Sequence, residues 1–172
     1  MNDLEIEIKA WCPDLAPVRK TLETLGAVYV KTEREEDRYF NHPARDFSRT
    51  DEALRLRRVG DIVTLTYKGP KLSQTSKARV EKETCVDNGS EASDILALLG
   101  FKASGTVIKT REFFDLNGIT ICLDQVDGLG AFVELEKKGG DLETIEQELL
   151  ALAGQIGLDR FERRSYLELI LG

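Results

Sequence analysis

A single histidine, only three cysteines and no long apolar run restrict what this 172-residue chain can be. His42 sits beside Pro43 in a polar segment, so a histidine-based catalytic triad or a histidine-rich zinc site is excluded. Cys12, Cys85 and Cys122 are odd in number and lack metal-ligand spacing, the usage expected of reduced thiols in a cytoplasmic protein. No stretch reaches the length of a membrane span, and the opening MNDLEIEIK has neither the basic nor the apolar region of a secretory signal. A cytoplasmic protein with no membrane partner is expected. Basic excess is missing as well: the formal net charge is -7, which argues against general nucleic-acid binding. Any basic site must therefore be local, as it is where bound divalent cations and a focused set of Arg and Lys hold a small polyanion. The length supports one full hydrophobic core, so residues 1–172 are expected to form a single domain.

What the chain does have is charge sorted by sign along apparent strands. Glu5 with Glu7, Glu81 with Glu83 and Glu134 with Glu136 form three Glu-x-Glu pairs, the first extended by Lys9. Side chains alternate along a strand, so each pair puts two carboxylates on one face while Leu4, Ile6 and Ile8, or Val133 and Leu135, occupy the other. Basic residues repeat the pattern: Arg55 with Arg57, Lys109 with Arg111, and Lys68 at the end of VTLTYK. A merely solvated face would mix in Ser, Thr, Asn and Gln. These strands group acids with acids and bases with bases, the arrangement of a site for metals and polyanions.

The hydrophobic periodicity predicts strands near 4–11, 28–40, 53–59, 62–68, 78–85, 106–115, 119–124 and 131–137, and helices near 14–25, 90–99 and 141–156. The closing SYLELIL fits a short helix or a strand. Two rounds of strand, helix and three strands, with LGAVYVKTERE after one helix and LGFKASGTVIKTRE after the other, suggest an internal duplication. About eight strands with charged inner and apolar outer faces invert the usual small barrel and predict a polar tunnel with helices packed outside. The fold expected is thus α+β, a closed eight-stranded antiparallel tunnel. Its apolar exterior needs cover, from the three helices alone or in part from a second subunit of a homodimer. The polar loop from Pro70 to Ala78, with Lys71 and Lys77, is placed to close over the tunnel mouth.

Taken together, EIEIK, DRYFNHPARDFSRTDEALRLRR, LTYKGP, RVEKET, KTRE, CLDQVDGLGAFVELE and RRSYLELIL resemble the CYTH superfamily of triphosphate tunnel metalloenzymes, and within it the class IV adenylyl cyclase-like branch. The likeness runs over nearly the whole chain. It implies an enzyme that cyclises ATP to cyclic AMP and pyrophosphate, or one that hydrolyses tripolyphosphate or thiamine triphosphate; a non-catalytic triphosphate-binding module is the remaining alternative. By matching position it implies Glu5, Glu7, Glu134 and Glu136 as metal ligands, with Glu81, Glu83 and Asp124 as further acidic members. Hard carboxylate oxygens suit Mg2+ or Mn2+, and two ions are expected. Lys9, Arg55, Arg57, Lys68, Lys109 and Arg111 correspond to the triphosphate clamp, where Arg offers bidentate bonds and Lys a point charge. Tyr39 and Lys68 match a tyrosine and a lysine to which superfamily thiamine triphosphatases owe water activation, which makes them the catalytic candidates.

Overall fold

The computed structural model describes residues 4–72 and 76–172, and in it the sheet closes on itself. In chain order the elements are β1 (Leu4–Trp11), α1 (Leu15–Thr24), β2 (Val28–Asn41), α2 (Phe47–Thr50), β3 (Ala53–Val59), β4 (Ile62–Lys68), β5 (Arg79–Val86), α3 (Gly89–Leu98), β6 (Lys102–Leu116), β7 (Ile119–Val126), β8 (Gly130–Lys138), α4 (Leu142–Gln155) and α5 (Tyr166–Leu171). The ring order is β1-β5-β4-β3-β2-β6-β7-β8, with every neighbouring pair antiparallel. Exchanging the first four strands for the last four maps this ring onto itself, the topology a duplicated half would produce. The halves differ where charge matters: Arg55 and Arg57 on β3 have Cys122 and Asp124 in the corresponding strand, β7.

Alternation along the strands divides apolar from charged side chains, as expected for a half-buried sheet. Ile6, Ile8, Ile121, Leu123, Val133 and Leu135 face outward into a core completed by Val18 and Leu22 of α1 and by Ile145, Leu149, Leu152 and Ile156 around α4. Phe40 and Leu56 form a second cluster under Leu96 of α3. Asp14 caps α1 by accepting from the Ala16 amide, and Gly26, at φ 81, turns the chain out of the helix in a conformation that L side chains resist.

Two details differ from expectation, and one open alternative is decided. A short helix, α2, interrupts the polar stretch before β3, started by the Asp46 side chain accepting from the Ser48 amide. Strand β6 begins at Lys102 because β2 pairs with it down to Asn41. SYLELIL resolves to helix, with Ser165 and Glu168 forming a reciprocal capping box, a four-residue signal that the sequence carries openly. This α5 does not join the outer layer. Leu167 rests on β6 at Gly105, where a Cβ would stand 2.6 Å from Leu167 Cδ1, and Tyr166 packs with Phe132, Val107 and Val126. The barrel interior is therefore apolar in one layer, where Trp11, Phe132 and Tyr166 stack at centroid distances of 4.2 and 4.9 Å. Among the described residues no helix is long and apolar enough to cross a membrane.

Candidate functional site

Inside the barrel lies a cavity of about 330 Å³, lined by charged side chains from seven strands, with α5 and residues around α2 at its border. Its two walls differ in sign, and each follows from strand alternation.

The cationic wall comes from β3 and β6, organised by two acids of β2. Asp37, 1 % exposed, accepts two parallel bonds from Arg57 at 2.6 and 2.7 Å and one from Lys109 at 3.0 Å. Glu35 pairs with the same two cations at 2.9 and 2.7 Å. Burial pushes both carboxyls up, but the surrounding cations outweigh it and hold both below their ordinary range, Asp37 well below. Arg55 is held more loosely: Thr66 Oγ1 is at 3.2 Å, Asp37 and Glu83 are at 3.7 Å, and its buried Nε has no hydrogen-bond partner among the described residues. An unsatisfied buried donor costs about 1–3 kcal/mol, so this guanidinium has capacity for an anion.

The acidic wall comes from β1 and β8. Register sets Glu7 opposite Glu136 and Lys9 opposite Glu134. Glu5 is paired with Lys68 at 3.0 Å, and Lys68 also reaches Glu81 at 2.5 Å. Glu7 is paired with Lys77 at 2.7 Å, and Lys77 lies 3.9 Å from Glu134. Glu136 has no ion pair among the described residues. Its burial, and then the charges of Glu5 and Glu7, push its carboxyl up to about 7. Lys9 shows the converse: burial, then the neighbouring Lys77, bring it down to about 7 against the pull of Glu134 and Glu7. Its ammonium donates to the Arg164 carbonyl and stands 4.1 Å from the Tyr166 ring centroid.

Most of the residues singled out in the sequence meet here. Glu5, Glu7, Lys9, Tyr39, Arg55, Arg57, Lys68, Glu81, Glu83, Lys109, Arg111, Glu134 and Glu136 all line the cavity. Asp124 does not. It is fully buried, takes two bonds from Arg111 and one at 2.7 Å from the Tyr166 hydroxyl, and so acts as an anchor for Arg111. Arg111 also holds Glu134. Glu83 is half-exposed at the rim and accepts from Thr66. The Tyr39 hydroxyl has no hydrogen-bond partner among the described residues. Of the 70–78 loop, residues 73–75 lie outside the described residues; Lys77 stands in the cavity wall rather than over the mouth.

Sequence reasoning passed over Glu35, Asp37, Arg79 and Tyr166, and gave Lys77 only a loop role. The first two had a signal, since Glu33, Glu35 and Asp37 alternate in TEREED as the other acids do. Lys77 and Tyr166 had none, because a loop and a terminal helix reach the interior only through the fold.

Among the described residues no three carboxylate, histidine or cysteine side chains converge closely enough to hold an ion as they stand. The donor set nonetheless fits a hard divalent cation. Glu5, Glu7 and Glu136 adjoin one another, Glu136 has no ion pair among the described residues, and the cations on the other two are lysines on flexible stems.

Known proteins are similar to this chain along nearly its whole length. The sequence profile described as the CYTH domain matches residues 3–166. A Methanocaldococcus jannaschii protein named "Putative adenylate cyclase" is 39 % identical over 171 residues, covering 96 % of this chain and 98 % of its own. The protein named adenylate cyclase CyaB of Aeromonas hydrophila is 25 % identical over 170 residues, 94 % of this chain and 86 % of its own. A solved Pyrococcus horikoshii protein superposes with a TM-score of 0.90 at 39 % identity, over 97 % of this chain and 98 % of its own.

Proposed function

This chain belongs to the CYTH domain family, and from that premise we propose that it is a metal-dependent enzyme acting on a triphosphate, an adenylyl cyclase that converts ATP to cyclic AMP and pyrophosphate. The observation that carries the proposal is the sorting of charge across one cavity: Arg55, with a buried donor that has no partner among the described residues, on one wall and Glu136, whose carboxyl burial and the charges of Glu5 and Glu7 push up to about 7, on the other. A triphosphate chelating a divalent cation has the complementary pattern, since its oxygens need the cations and its metal needs the carboxylates. The cavity of about 330 Å³ falls at the lower end of ordinary ligand sites, which suits a triphosphate chain with part of an organic group. Phe40, Phe47 and Leu54 line it as well and offer an apolar border to a nucleoside.

Within this reading Arg55, Arg57 and Lys109 bind phosphate oxygens and take up the charge that grows on departing pyrophosphate. Asp37 and Glu35 aim them, so little reorganisation is needed as the bond breaks. Arg111 is kept in place by Asp124. The ribose 3'-oxygen attacks the α-phosphorus while the bond from that phosphorus to the bridging oxygen of pyrophosphate breaks. Mg2+ or Mn2+ on Glu5, Glu7 and Glu136 would lower the pKa of the 3'-hydroxyl and offset phosphate charge. Lys68 lies beside that group of carboxylates and adds positive charge near the reacting phosphorus.

A second reading rests on Tyr39. Tyr39, whose hydroxyl has no hydrogen-bond partner among the described residues, lines the cavity together with Lys68, an arrangement that suits orienting a water at the terminal phosphorus of tripolyphosphate or thiamine triphosphate. Chromatographic product analysis with ATP, tripolyphosphate and thiamine triphosphate, each with Mg2+ and with Mn2+, separates the two. Cyclic AMP with pyrophosphate supports the cyclase. Phosphate release without a cyclic product makes the protein a triphosphatase, and no turnover of any of the three makes it a binding module.

A further inference from the structure

Two lysines of the cavity are occupied by the same carboxylates that a metal would need. Lys68 lies 3.0 Å from Glu5 and Lys77 lies 2.7 Å from Glu7. Each also has a second acid outside that metal group: Glu81 at 2.5 Å for Lys68 and Glu134 at 3.9 Å for Lys77. A carboxylate cannot serve an ammonium at contact distance and a divalent cation at once without setting two like charges side by side, where repulsion in a partly dry interior amounts to several kcal/mol. One must yield, and the ammoniums, on flexible four-carbon stems inside the same cavity, are the groups that can move.

We propose that Lys68 and Lys77 are latches: in the metal-free protein Glu5 and Glu7 hold them back, and occupation of those carboxylates by a divalent cation turns both ammoniums toward the triphosphate. The inference rests on the reading of the cavity as a site for metal and triphosphate, and adds to it a coupling between the two ligands. Metal strengthens anion binding beyond simple charge neutralisation because it supplies two further donors. Reciprocity requires that the anion strengthen metal binding by the same factor. Lys9 lies against Lys77 and is itself 2 % exposed, so a released Lys77 relieves a crowded pair of cations.

The test is calorimetric titration of inorganic tripolyphosphate into wild type and variants at pH 8 in EDTA, with a parallel series in Mg2+. Glu7→Gln should free Lys77 and raise metal-free tripolyphosphate affinity by about tenfold, a modest allosteric coupling. Glu5→Gln should do the same through Lys68, a second route should either variant fold poorly. Glu52→Gln removes an acid that also lines the cavity but is paired with Arg45 instead of a lysine, and should leave metal-free affinity within about twofold, as expected of a change outside the coupled pair. Adding Lys77→Met to Glu7→Gln should abolish the gain. Equal gains in Glu7→Gln and Glu52→Gln would reduce the effect to general electrostatics and overturn the latch, as would no gain in Glu7→Gln. If wild type fails to bind tripolyphosphate even with Mg2+, the reading of the cavity itself falls.

Discussion

Glu7 and Glu136 stand directly opposite each other on β1 and β8, yet among the described residues only Glu7 is in an ion pair, with Lys77 at 2.7 Å. Two carboxylates brought together by register, one of them without an ion pair, store a cost in the folded protein that a ligand can relieve. Several consequences are measurable.

The first concerns pH. The folded Glu136 carboxyl titrates near 7, above the unfolded value of 4.5, so the native state retains a proton that the unfolded state has lost. The metal-free protein should lose stability as pH rises from about 4.5 to about 7, with the penalty fully present above that. Glu136→Gln should remove it, stabilising the metal-free protein at pH 8 by about 3 kcal/mol and leaving it unchanged near pH 4. Urea unfolding in EDTA at the two pH values reads this directly.

Asp37 should be costly to remove. It answers Arg57, Lys109 and Arg55 from a fully buried position, and Asp37→Ala leaves those cations with only Glu35 and Glu83. A loss of about 3–5 kcal/mol is expected, as for a broken buried ion pair. Asp37→Asn, which can still accept from Arg57, should lose less in the same denaturation assay.

The two arginines of β3 should separate binding from stability. Arg55→Met removes a loosely held guanidinium and should weaken Mg2+-tripolyphosphate binding by about 2–5 kcal/mol with a small change in melting temperature. Arg57→Ala should weaken binding to a similar degree and also lower the melting temperature, because it strands Asp37 and Glu35. Calorimetry with thermal unfolding distinguishes the pair, and equal melting temperatures would contradict the hub role of Asp37.

At the C-terminus, Gly105 is the seat of α5. A methyl group there would stand 2.6 Å from Leu167 Cδ1, so Gly105→Ala should cost about 1–3 kcal/mol, the usual price of overpacking. Loosening α5 also withdraws Tyr166 from Asp124 and from Lys9. Faster amide exchange over residues 166–171 than in wild type is the expected result.

Much of this was legible in the chain. Period-two alternation in LEIEIK, ALRLRR and FVELE announces strands with one charged face, and grouping by sign along those strands announces a site rather than a wet surface. The stripe of α4 was equally plain, since Ile145, Leu149, Leu152 and Ile156 recur at helical spacing and all are buried. Asp124 shows the limit. Its place in an acidic series made it a metal candidate, but register set it beside Arg111 and α5 brought Tyr166 to its other side, leaving it no free oxygen for the cavity.

The sequence by itself determined which faces carry charge, where helices must cover apolar strands, and that acids and bases are kept apart, because each depends on spacing within one element. Only the tertiary structure decided which charges neutralise one another. Lys77 reaches Glu7 across 70 positions, Lys68 reaches Glu5 across 63, and Tyr166 reaches Asp124 across 42. Those pairings follow from how the ring closes and how far each strand is sheared against the next, which no local pattern of residues contains.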